Sequence, residues 1–223
     1  MSLKLTFLGH AAFLLESGEH TLAIDPFLTD NPLATKDPKD IRATHIALTH
    51  GHADHWGDTV AIAKRNNATV IAAFEICNYL AEHGINTTEP GNPGGRIATP
   101  FGWVAFTQAF HSSSYEGRYM GMPCGLVVSM GGVTVYHCGD TTLFGDMKLI
   151  GEIYRPDIAC VPIGDRFTMG PDLAARATEL IRPKVAIPIH YNTWPPIEQD
   201  PALFKPRGVE VRVMQPGETW NYG

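Results

Sequence analysis

The sequence predicts a single α/β domain over residues 1–223, and three observations predict it. Short runs rich in β-branched and aromatic residues alternate with segments of helical period. Gly, Pro, Asn and Asp separate these runs at short intervals. Several of the strand-like runs also end in histidine or aspartate, as they do where strand ends present groups at one rim of a sheet. A chain of 223 residues that is 44% hydrophobic can build a sizeable core.

In chain order, Leu3, Leu5 and Phe7 alternate with Lys4 and Thr6. A turn near Ser17-Gly18-Glu19 leads to a second run, TLAID at 21–25, and the two read as an antiparallel hairpin. Further strand-like runs lie at 45–50, 69–74, 103–110, 125–130, 133–140, 158–165, 185–190 and 209–214. Helical segments are expected at 58–66 with Asp58 as N-cap, and at 75–83 closed by Gly84. Two more are expected at 146–154 and at 172–181, the latter stopped by Arg182-Pro183. The Pro- and Gly-rich stretches 86–100 and 193–206 read as surface loops.

Composition excludes several partners. A net charge of -6, with both signs scattered along the chain, leaves no electrostatic footprint for a nucleic-acid backbone or an anionic membrane. No apolar run approaches the roughly 20 residues that span a bilayer, and Gly9-His10 splits the N-terminal apolar stretch, which reads as strands rather than a signal peptide. Cys77, Cys124, Cys138 and Cys160 are widely spaced and form no C-x-x-C pair, so free thiols in a reducing cytoplasm are expected. The partner expected is a small-molecule substrate, with a homo-oligomer left open.

The chemistry concentrates in THGHADHWGD, residues 49–58, where His50, His52, Asp54 and His55 fall within six residues. His111, Asp140 and His190 follow, each at the end of a strand-like run. Imidazole and carboxylate suit zinc and neighbouring first-row metals, and one site closes with three or four of them. Seven candidates match two divalent ions that share one bridging carboxylate. Zinc leads, with manganese, nickel or iron as alternatives. Two such ions, about 3.5–4 Å apart, can hold a hydroxide and polarise the oxygen of an ester, lactone or phosphoester.

HGHADH resembles the H-x-H-x-D-H signature of the metallo-β-lactamase superfamily, and His111, Asp140 and His190 follow in the order that superfamily requires. The resemblance covers essentially the whole chain. It implies a four-layer αββα sandwich, with two mixed sheets back to back, helices outside and the site at one edge. It implies His50, His52 and His111 on the first metal, Asp54, His55 and His190 on the second, Asp140 between them, and Asp54 as the catalytic residue that orients water. FLGHAAFLL, YHCGDTTLFGDMKLIGE, PIGDRFTMGP and PIHYNTWP are similar to a branch of small bacterial and archaeal metal-dependent hydrolases akin to ascorbate-6-phosphate lactonase. Ala53 and Asp140 argue against the β-lactamase subclass in which a cysteine completes the second site.

The expected activity is therefore hydrolysis of a small ester-like substrate, a lactone or phosphoester, by hydroxide held between the metals. An iron-dependent oxidoreductase or dioxygenase on the same fold, or a non-catalytic metal-binding module, are the competing readings. Around the seven ligands, His10, Asp25, His137, Asp165 and Tyr191 are candidates for binding substrate or supporting ligands, Asp25 as an acceptor that holds the ligand loop. The serines at 112–114 lack the Gly-x-Ser-x-Gly context of a nucleophile.

Overall fold

The computed structural model describes residues 2–223. The first half of the chain contains β1 (Leu3–Gly9), β2 (Ala12–Ser17), β3 (His20–Ile24) and β4 (His45–Ala47). It continues through α1 (Ala53–Trp56), α2 (Thr59–Asn66), β5 (Thr69–Ala73), α3 (Phe74–Glu82) and β6 (Thr88–Gly91). The second half begins with β7 (Arg96–Thr99), β8 (Gly102–Gln108), the small hairpin β9 (Ser114–Tyr115) and β10 (Arg118–Tyr119), β11 (Cys124–Met130) and β12 (Val133–His137). It ends with α4 (Met147–Tyr154), β13 (Ile158–Pro162), α5 (Pro171–Ile181), β14 (Val185–Ile189), β15 (Glu210–Val211) and β16 (Thr219–Tyr222).

These strands form two seven-stranded sheets, ordered β16-β1-β2-β3-β4-β5-β6 and β15-β14-β13-β12-β11-β8-β7. Each sheet is mixed: the hairpin strands pair antiparallel, while β3 to β6 and β12 to β15 pair parallel across helical or loop crossovers. Side-chain alternation assigns the faces. Leu3, Leu5, Phe7, Phe13 and Leu15 of the first sheet meet Phe106, Leu126, Val128, Ile158 and Ile187 of the second in one buried cluster. The opposite faces bury Leu14, Ile46 and Val70 against Ile62, Ile76 and Leu80 of α2 and α3, and Val127, Ala159 and Val161 against Ile150, Ala174 and Ala177 of α4 and α5. Three apolar interfaces thus separate four layers, αββα. Full burial of a Leu, Ile or Phe side chain contributes about 1.5–3 kcal/mol, so these interfaces hold the sheets in register.

The structure departs from sequence expectation in identifiable places. Residues 86–100 are not all loop, because β6 and β7 lie in them as the outermost strands of the two sheets. An edge position tolerates Pro90, which cannot donate to a ladder. The expected strand at 209–214 shrinks to two residues, and the C-terminal strand β16 instead pairs with β1. The N-terminal segment makes two hairpins rather than one, since the chain reverses at His10, whose φ is 58°. Asp58 occupies the N-cap position of α2, its carbonyl accepting from the Ile62 amide, but its carboxylate does not cap the helix: it accepts from the backbone amides of Leu28 and Thr29, clamping the loop after β3 onto the ligand segment. Among the described residues no helix is long and apolar enough to cross a membrane, and all four cysteines are free and buried.

Candidate metal centre

Residues 49–58 leave β4 and turn through the four-residue α1, which throws His52, Asp54 and His55 toward one rim of the sandwich. Two glycines allow this path. A Cβ on Gly51 would lie 2.3 Å from Cβ of Met120, and one on Gly57, at φ 44°, would lie 2.5 Å from the backbone of Pro26 and Phe27. The loops after β8, β12 and β14 bring His111, Asp140 and His190 to the same rim.

All seven expected ligands converge. Ligand atoms of His50, His52 and His111 lie within 4.8 Å of one another, as do those of His50, His55 and Asp140. A further set under the same limit contains Asp54, His55 and His190, and with them His10. Asp140 sits between the groups, with His55 Nε2 at 3.3 Å from Oδ1 and with His111 Nε2 at 3.4 Å and His190 Nε2 at 3.0 Å from Oδ2. Despite these distances, the buried His55 Nε2, His190 Nε2 and Asp140 Oδ1 have no hydrogen-bond partner. Buried polar atoms left so are costly, and a cation among them removes the cost. The donor set, imidazole with carboxylate, therefore fits a divalent metal.

Hydrogen bonds behind the cluster fix which nitrogen faces it. Asp25, fully buried, accepts from the Thr49 backbone amide at 2.8 Å, from Thr49 Oγ1 at 2.6 Å and from His55 Nδ1 at 2.7 Å. Because Thr49 Oγ1 spends its one proton on Asp25, it accepts from His50 Nδ1 at 3.0 Å, which leaves the His50 lone pair on Nε2. One carboxylate thus orients a candidate ligand of each group, directly for His55 and through Thr49 for His50. Ser113 Oγ accepts from the Gly51 amide at 3.1 Å, and Ser112 Oγ lies 3.2 Å from His52 Nε2.

Charge divides the cluster. Burial lowers His50 well below the ordinary histidine value and lowers His52 and His111, so all three are neutral at pH 7. Burial also takes His10 down to about 4, with the nearby His190 adding to the effect. His55 and His190 go the other way: burial opposes their charge, but Asp140, joined for His55 by Asp25, overrides it and raises His190 to about 9 and His55 well above its usual value. Asp140 is likewise held well below the carboxylate range, where burial would raise it but His190 and His55 prevail.

Not every candidate joins the cluster. His137 donates from Nε2 to the Ala11 carbonyl at 2.8 Å and accepts at Nδ1 from the Gly139 amide at 3.2 Å, so it ties β12 to the β1–β2 turn with both nitrogens engaged. Asp165 is exposed at φ 65° in the loop before α5, its carboxylate turned to Gly170. Tyr191, just past the end of β14, packs against the apolar cluster that α4 and α5 bury on the outer face of the second sheet. Thr49, Ser112, Ser113 and Thr193 hold candidate ligands or their neighbours in place, a role sequence reading did not assign: it weighed Ser112 and Ser113 only as nucleophiles. Thr49 and Ser112 adjoin candidate ligands, and a hydroxyl beside a metal-capable histidine is the signal that could have found them.

A mixed αββα sandwich with a His/Asp cluster at its rim is the frame of a metal-dependent enzyme. The chain belongs to the metallo-β-lactamase superfamily: residues 4–190 match the family described as beta-lactamase superfamily domain, and the protein is a metal-dependent hydrolase. It is 51% identical over 223 residues to a metal-dependent hydrolase of Carboxydothermus hydrogenoformans, covering 97% of this chain and 98% of that one. A counterpart in Geobacillus thermodenitrificans is 50% identical over 225 residues, with 97% and 99% covered. The solved structure of Igni18, a metallo hydrolase from Ignicoccus hospitalis, superposes with a TM-score of 0.91 at 39% identity, covering 100% of this chain and 99% of that one.

Proposed function

We propose that this hydrolase acts on a small ester-like substrate, with lactones and phosphoesters the leading classes, at a centre that holds two divalent ions. The observation that carries the reading is the pair of ligand groups joined through Asp140: seven protein ligands exceed what one ion takes and leave a shared rim open to solvent. His50, His52 and His111 would hold one ion, Asp54, His55 and His190 the other, and Asp140 both. When bound, the ions would activate water near neutral pH and polarise the scissile oxygen. Asp54, one quarter exposed, would orient the nucleophile. His50 and His55 would be held in place by Asp25, so that little reorganisation accompanies reaction. The charge of -6 and the compact rim support a small molecule rather than a nucleic acid or membrane as partner, and the four free thiols are consistent with a cytoplasmic site of action.

The test loads chelated protein separately with zinc, manganese, nickel and iron, measures bound metal, and assays lactones beside phosphodiesters. Two equivalents of metal and hydrolysis that vanishes on chelation are expected. Hydrolysis indifferent to chelation, or saturation at one equivalent, overturns the reading.

A further inference from the structure

His10 lies among the ligands of the second group, its Nε2 3.2 Å from Asp54 Oδ2, and its ring centroid 4.2 Å from that of His190. Distance alone would make it a fourth ligand. Its hydrogen bonds say otherwise. A carboxylate only accepts, so the Nε2–Oδ2 contact requires the proton on Nε2. On the other side of the ring, Nδ1 lies 2.7 Å from Thr193 Oγ1, a hydroxyl that can donate to it. His10 and Thr193 are both buried, and Trp194 packs edge-on over the imidazole at 5.0 Å. The His10 carbonyl also accepts from the His190 amide at 2.8 Å, which couples the β1–β2 turn to the loop that carries Thr193.

We propose that His10 is a positioning residue and not a metal ligand: Thr193 fixes its ring so that the Nε2 proton holds Asp54 Oδ2, the oxygen that also lies 3.6 Å from His190 Nε2, and so sets the angle at which the carboxylate meets the cluster. The inference rests on Asp54 belonging to the second metal group. His55 keeps a proton on Nδ1, toward Asp25, when a metal displaces the one on Nε2, whereas His10, whose Nδ1 accepts from Thr193, has no second proton to keep; the four-membered group therefore contains three ligands and one orienter. The orienter reaches Asp54 across 44 residues of sequence and Thr193 across 183, so the three meet only when the sheet that carries β1 and β4 packs against the sheet that carries β14.

Two measurements test it. In the metal-free wild-type protein, long-range nitrogen–proton NMR of the imidazoles should show His10 protonated at Nε2, and the pattern should persist after Zn²⁺ is added. Zn²⁺ affinity by chelator competition should fall about 10–100-fold in His10→Ala. His10→Gln, whose amide N–H can replace Nε2–H, should recover most of that loss, and Thr193→Val should shift the His10 nitrogen signals where Thr193→Ser does not. An Nε2 that lacks the proton, or loses it on Zn²⁺ addition, overturns the proposal, as does a His10→Gln variant no better than His10→Ala. Asp54→Ala separates the two levels. If it weakens Zn²⁺ binding while His10→Ala does not, only this inference fails; if Asp54→Ala leaves Zn²⁺ binding unchanged, the assignment of Asp54 to the second metal fails with it.

Discussion

The two groups of candidate ligands are built differently. His50, His52 and His111 are buttressed by neutral hydroxyls, Thr49 and Ser112, and His111 retains 15% of its side-chain exposure. In the other group His10, His55 and His190 are each no more than 2% exposed, and Asp54, Asp25 and Asp140 surround them. Protonation states follow from this contrast. The first group is neutral and ready for a metal, whereas the carboxylates of the second hold protons on His55 and His190 that a metal must displace. The second group is a deep anionic hole that cations of either kind fill; the first is a shallower set of lone pairs.

The most severe way to erase the contrast is Asp140→Ala, which takes away the group shared by both halves. Hydrolysis should fall by about 10³-fold or more, and bound zinc should drop in parallel, because transition-state charge loses its metal support. His190→Ala should also cost orders of magnitude in kcat/KM, yet keep one equivalent of zinc in the first group.

Asp25→Ala should disturb both groups through one residue. We expect about 10–100-fold weaker zinc binding and a loss of about 3 kcal/mol or more in unfolding free energy by denaturant titration, since three buried donors lose their acceptor.

The pH dependence sharpens the contrast further. His190 rises from its ordinary 6.5 to about 9 in the metal-free protein, so affinity of the second group for zinc should climb between these values, while that of the first stays flat above 6.5. The same shift contributes stability to the metal-free chain that is fully present below about 6.5 and is lost as pH rises through 9, a fall that thermal melts should show. Metal-loaded protein should lack it. The smallest effect is expected from Ser112→Ala, a few-fold loss of zinc affinity confined to the first group, because the Ser112 hydroxyl is exposed and water can replace it.

Much of the molecule was legible in the chain. The alternation of Leu3, Leu5 and Phe7, and the helical spacing of α5 before Arg182-Pro183, announce their elements because period and stop signals are local. β6, β7 and β16 were not legible, since edge strands are short and take their definition from a neighbouring strand rather than from their own residues. Asp58 was legible as the N-cap of α2, but its side-chain partner was not, because the loop at Leu28 and Thr29 competes with the helix for its carboxylate and wins.

The sequence by itself determined the inventory of the site. H-x-H-x-D-H with His111, Asp140 and His190 is a set of metal-capable groups whatever the fold, because ligand character belongs to side-chain chemistry. Only the tertiary structure decided how each member is held: that Asp25 serves both groups, that His10 meets Asp54 and Thr193, and that Asp165 and Tyr191 stay outside. Those pairings depend on which buried donor finds which acceptor when two sheets close on each other, and no local spacing encodes that.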